Sequence, residues 1–254
     1  MRQPIVMVVT GQKSVGKTYQ NIIEIENYVQ DTPLRKGRKV LIFDTNEEYT
    51  DYKTLDPRYI SRFTSREIRR ILPRYPNGTT MSLEDQKEMV ATMLQKFKNG
   101  MLVLEDIDKY MMGARGQSIV GTLVTNRHSG LDILISHQSL SKMTTTEWEN
   151  SGFLRMHKQM DDIDRYENRI PDYPLIKIAS IIVADQYYSG NERYYIYVDR
   201  MKGKLRGCSE SSFENGVKKY LNMNEREVKN EIKQGYFRED AMRNIVSRYK
   251  TYIK

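Results

Sequence analysis

Residues 11–18 read Gly-Gln-Lys-Ser-Val-Gly-Lys-Thr, the spacing of a loop built to hold phosphate. An apolar run, Ile5–Val9, precedes it, and a helical pattern follows. Gly11 and Gly16 let the backbone take conformations that residues with a side chain avoid. The amides of Gly11, Gln12, Lys13, Ser14, Val15 and Gly16 then point inward around phosphate oxygens at a helix N-terminus. Lys17 brings a point charge to the β- and γ-phosphates, and Thr18 offers a hydroxyl to Mg²⁺. The expected cofactors are therefore ATP and Mg²⁺.

A second cluster supplies acids. Met101-Leu102-Val103-Leu104 runs into Glu105 and Asp106, the pattern of a Walker B strand. Hydrolysis of a phosphoanhydride uses one carboxylate near the metal and a second that orients water. By position Glu105 takes the metal role and Asp106 the water. The usual order is Asp then Glu, so the exchanged assignment stays open. Asp44 closes another apolar run, Lys39–Phe43, and Gln138 follows a third, Leu131–Ser136. A polar residue there is placed to sense a γ-phosphate.

These residues need elements to carry them. Thr18–Val29 predicts a helix with Ile22, Ile25 and Val29 on its apolar face. Ser82-x-x-Asp85 opens a second helix reaching about Lys98. Ser65–Leu72 reads as a short basic helix, with a short strand near Ile60–Phe63. Ser118–Arg127 and Thr144–Asn150 read as helices, Phe153–Lys158 as a strand, and residues from Asp161 to Pro171 as a helix. Leu175–Tyr187 fits helix or strand equally, and Arg193–Cys208 reads as a hairpin. Strands alternating with helices predict a parallel sheet covered on both faces, whose ligands bind at the carboxyl ends of the strands. Gly11–Thr18, Asp44, Glu105, Asp106 and Gln138 all fall there.

The 254 residues suffice for one large α/β domain. Residues 1–210 are expected to form it, with 211–254 as a basic helical tail. No run approaches the roughly 20 apolar residues of a membrane span. The single Cys208 fits a reducing cytosol. The three histidines, His128, His137 and His157, are scattered, so no protein-built zinc site is expected. Net charge is +8. Residues 201–254 hold 13 Lys and Arg against 7 Asp and Glu, most of that excess. A basic balance points to a polyanion, nucleic acid before membrane, or to a merely solvated surface.

Two further segments carry a resemblance. Asp44-Thr45-Asn46-Glu47-Glu48-Tyr49 resembles the segment after the second strand of HerA-type ATPases. Asn126-Arg127-His128-Ser129-Gly130, continuing to Gln138, resembles the Arg…Gln segment of the FtsK–HerA superfamily of DNA pumps. It is also similar to filamentous-phage assembly ATPases related to zonular occludens toxin. The likeness spans residues 5–158. It implies an α/β P-loop NTPase of the additional-strand (RecA-like) type. It also implies a homo-oligomeric ring, pentamer or hexamer, threading double-stranded DNA. Arg127 would be the arginine finger lent to a neighbour. Lys109 and Arg115, after the acids, and Arg74 are the candidates for touching the DNA backbone. The compact chain fits a viral genome-packaging motor in the host cytoplasm, docking on a portal or capsid vertex. The competing readings are a phage-type assembly ATPase, a small nucleotide kinase and a nucleotide-gated scaffold.

Overall fold

The computed structural model describes residues 3–107 and 129–253. The chain divides into two compact units. Met1–Val9, Gly16–Gln138 and Lys142–Ser151 make the first; Thr10–Val15, Ser139–Ser141 and Gly152–Lys254 make the second.

The first unit is the α/β layer. Its elements are β1 (Val6–Thr10), α1 (Lys17–Val29), β2 (Lys39–Phe43), β3 (Ile68–Ile71), α2 (Leu83–Lys96), β4 (Gly100–Leu104), β5 (Asp132–His137) and α3 (Thr145–Asn150). The strand order is β3-β2-β4-β5-β1, with parallel pairing from β3 through β5. Leu41, Phe43, Leu102, Leu104, Ile133 and Ile135 pack with Val90, Met93 and Leu94 of α2. The intervening Val40, Ile42, Val103 and Leu134 pack with Ile25 and Tyr28 of α1. Strands buried on both faces must be apolar at nearly every position, which is why their sequences are unbroken apolar runs. The strand β5 lies between β4 and β1. An extra strand therefore separates the acid-bearing strand from the glycine-loop strand, as the additional-strand type requires.

Two local expectations fail here. Residues 65–72 are not a helix: Ile68–Ile71 is strand β3, paired in register with β2. The i, i+3 spacing of Ile68 and Ile71 imitates a helix, but Arg70 is drawn into an ion pair with Asp44 at 2.8 Å. Residues 57–62 form a 3-10 turn rather than a strand, started by Pro57 and capped by the Asp56 side chain. The buried stripe of α1 is Asn21, Ile25 and Tyr28. The expected helix stands, with Ile22 and Val29 packed partly buried against the same cluster as Ile25.

The second unit holds β6 (Phe153–Met156), α4 (Tyr173–Tyr188), β7 (Ile196–Asp199), β8 (Lys204–Arg206), α5 (Glu210–Met223), α6 (Arg226–Lys233) and α7 (Arg238–Tyr249). The strands run antiparallel, and β7–β8 is the expected hairpin. The ambiguous apolar stretch is helix α4, with Leu175, Ile176, Ile178, Ala179, Ile181, Ile182 and Val183 all buried. A 3-10 turn at Ile163–Arg169 replaces the helix expected from Asp161. No helix among the described residues is long and apolar enough to cross a membrane.

Candidate functional site

The glycine loop turns through Gly11, Ser14 and Gly16, with φ of 152°, 65° and 81°. A Cβ on Gly11 would lie 2.6 Å from the Cβ of His157. Only glycine fits that approach. In the second unit, residues 155–159 form a rail under the first half of the loop. The His157 amide donates to the Thr10 carbonyl at 2.9 Å, and the Gln12 amide to the Lys158 carbonyl at 2.8 Å. Gln159 Nε2 donates to Thr10 Oγ1 at 3.0 Å. Fully buried Arg155 donates from Nε to His157 Nε2 at 3.2 Å. A guanidinium cannot accept, so His157 carries its proton on Nδ1, 3.1 Å from the Val15 carbonyl it serves. None of these four supports stood out in the sequence.

In the first unit Lys17 and Thr18 open α1 directly after Gly16, and no side chain caps that helix end. Uncapped amides at a helix N-terminus favour an anion. Thr18 Oγ1 donates to Glu48 Oε2 at 2.6 Å. Glu48 is held by the turn after β2. Buried Asp44 accepts from the amides of Glu48 and Tyr49 at 2.9 and 3.2 Å and pairs with Arg70. Glu47, at φ 56°, pairs with Arg74. That bond occupies the guanidinium proposed from sequence for DNA.

The adjacent acids after β4 diverge. Glu105 is buried; its Oε1 accepts from Asn21 Nδ2 at 2.6 Å and from the Tyr49 hydroxyl. Burial pushes its carboxyl above the ordinary range, against the donors Tyr49, Asn21 and Ser136, which pull it down. Asp106, in left-handed backbone at φ 47°, accepts from Asn46 Nδ2 at 2.8 Å and Gln138 Nε2 at 3.3 Å. Asp106 and Gln138 are therefore brought together. Glu105 instead faces Asn21, which the sequence did not single out, and Tyr49, which entered only through the resemblance. Arg127, Lys109 and Arg115 lie outside the described residues.

Behind Gln138, buried His137 places Nε2 3.0 Å from Glu147 Oε1. Glu147 also closes the capping box of α3 through Thr144. Burial alone raises the Glu147 carboxyl, but His137 and Thr144 hold it below the ordinary range. The two buried glutamates thus have opposite linkage. A depressed carboxyl stabilises the fold above the unfolded value of 4.5 and loses that contribution as pH falls through the folded value. A raised one does the reverse: Glu105 contributes most below 4.5 and loses it as pH rises. In thermal melts from about pH 3 to pH 8, Glu147→Gln is expected to flatten the acid limb and Glu105→Gln the neutral limb. Parallel curves for both variants would contradict this assignment.

The donor set suits a magnesium nucleotide. Mg²⁺ takes hard oxygen ligands, commonly one or two carboxylates, with substrate phosphates and water completing the shell. Thr18 Oγ1 and a Glu48 oxygen already stand 2.6 Å apart at the end of the glycine loop.

Parallel strands in this order, the glycine loop before α1, and polar residues at the ends of β2, β4 and β5 define an α/β P-loop NTPase fold. Solved structures share it. The genome packaging NTPase B204 from Sulfolobus turreted icosahedral virus 2, in complex with ATP-gammaS, matches with a TM-score of 0.56 at 14% identity, over 81% of this chain and 97% of that one. B204, the DNA-packaging ATPase from Sulfolobus turreted icosahedral virus, matches at 0.54 and 13%, with the same coverage. At these identities the likeness is one of fold. No protein-family model and no curated protein matches the sequence.

Proposed function

We propose that this chain is an ATPase whose turnover drives nucleic acid, as one subunit of a viral double-stranded DNA packaging ring. The observation that carries the reading is the joining of Asp106 to both Asn46 and Gln138 at the ends of three neighbouring strands. An acid and an amide joined in this way support a reading in which they meet the γ-phosphate and its attacking water. The fold shared with packaging NTPases supports the same direction.

In this reading Gly11–Thr18 wrap the phosphates, and Lys17 neutralises charge on the β- and γ-oxygens. Asp106 orients water, with Gln138 and Asn46 fixing its carboxylate. Thr18 and an acid beside it hold Mg²⁺, which supplies charge neutralisation across the phosphates. Arg127 reaches the neighbouring subunit's nucleotide; a guanidinium delivered in trans makes hydrolysis depend on the ring.

The test is ATP turnover with and without double-stranded DNA, across protein concentrations. Turnover should rise with DNA and with assembly. Arg127→Ala should keep nucleotide affinity while losing turnover about 10³-fold. A chain that stays monomeric, ignores DNA and hydrolyses ATP equally at every dilution would refute the motor. Phosphate transfer to a small acceptor would point to the kinase reading.

A further inference from the structure

We infer that Glu48, in the turn after β2, is the carboxylate that secures the metal of the bound nucleotide, as a positioning residue acting through Thr18 and metal-bound water. This deepens the reading above and rests on it.

Two acids compete for the role. Glu105 occupies the expected place in sequence, but it is enclosed. It is buried, and its carboxylate is engaged by Asn21 and Tyr49. A Mg²⁺ ion keeps several waters and dehydrates reluctantly. Reaching it from Glu105 would mean exchanging those buried donors for a hydrated ion. Glu48 needs no such exchange. Its side chain is exposed, and its Oε2 already meets the Thr18 hydroxyl, the oxygen that a P-loop gives to the metal.

The backbone around Glu48 is built to keep it there. Asp44 fastens the amides of Glu48 and Tyr49, and Arg70 fastens Asp44. The preceding Glu47 is held in left-handed backbone, a conformation disfavoured for a residue with a side chain. Tyr49, the next residue, is anchored inside on Glu105. One short turn thus joins the buried acid to the exposed one. Glu105 supports the turn from within, and Glu48 presents charge outside. A carboxylate that orients a metal ligand or a metal-bound water typically changes metal affinity 10–100-fold when removed.

The experiment measures Mn²⁺ binding by electron paramagnetic resonance in the presence of a non-hydrolysable ATP analogue, for wild type, Glu48→Gln and Glu48→Ala. Nucleotide affinity in chelator is measured beside it. Both variants should weaken Mn²⁺ about 10–100-fold and leave metal-free nucleotide affinity and the melting temperature unchanged. Mn²⁺ affinity equal to wild type would overturn the assignment. So would an equal loss of metal-free nucleotide binding, because the turn would then be shaping the phosphate cradle instead. A wild-type chain that binds neither nucleotide nor Mn²⁺–nucleotide would instead refute the nucleotide reading itself, and Glu48's role with it.

Discussion

Lys17→Ala is expected to lower ATP turnover roughly 10²–10³-fold, as loss of a preorganised charge at a transferring group does. Lys17 is the first residue of α1 and follows Gly16, whose φ of 81° sets the chain's exit from the loop. Its charge is therefore placed by backbone geometry as well as by its own rotamer. Lys17→Arg should not rescue. A planar guanidinium is bulkier than an ammonium and directs its donors in a fixed fork. Phosphate release at saturating ATP reads the effect, and a melt shows whether the fold survives. Residue 17 is partly exposed, so the melting temperature should move little. Turnover within a few-fold of wild type would remove the glycine loop from the chemistry altogether.

Much of this site was legible in sequence because it is local. The spacing of Gly11, Gly16, Lys17 and Thr18 lies within eight residues. Asp106 and Gln138 each lie two residues past the end of a strand-like run, and chain alternation is enough to place both at strand ends. The illegible part depends on distant partners. Asn21 is buried because its amide donates to Glu105 and Ser136, 84 and 115 residues away. Arg155 and His157 fell within an expected strand, yet His157, held by Arg155, bonds the glycine loop 142 residues away. Residues 68–71 carried a helical spacing, and the Arg70–Asp44 pair with the β2 ladder decided for strand. Periodicity reports which residues prefer an apolar side, and it is silent about a polar residue recruited to a buried acid. Glu48 was visible only as part of a resemblance. Nothing in its neighbours' types shows that a turn aims it at Thr18.

The second large effect concerns that buried acid. Asn21→Leu removes the donor 2.6 Å from Glu105 Oε1 and leaves Ser136 Oγ without its 3.1 Å partner in the same stroke. Leucine fills similar space but gives the carboxylate nothing. A hydrogen bond to a charged group contributes roughly 1.5–3 kcal/mol, and leaving a buried one unmade costs more than its mean value. A loss of about 3 kcal/mol corresponds to a fall of about 6–12 °C in melting temperature for a chain of this size. The sign with pH follows from the same carboxyl. Burial already raises Glu105, and losing a donor raises it further. The destabilisation should therefore be smallest in acid, where Glu105 is protonated, and should grow as pH rises. The double variant Asn21→Leu/Glu105→Gln separates the causes. If the cost comes from an undersupplied carboxylate, the second change should recover most of the lost stability at neutral pH, a coupling well outside additivity. If the introduced leucine merely packs badly, the two losses should add and the pH dependence should vanish. In the first outcome Glu105 is the buried anchor of the Glu48 turn. In the second its burial plays no part in the stability of the site, and the acid after β4 is freed for the metal role that its position in sequence suggested.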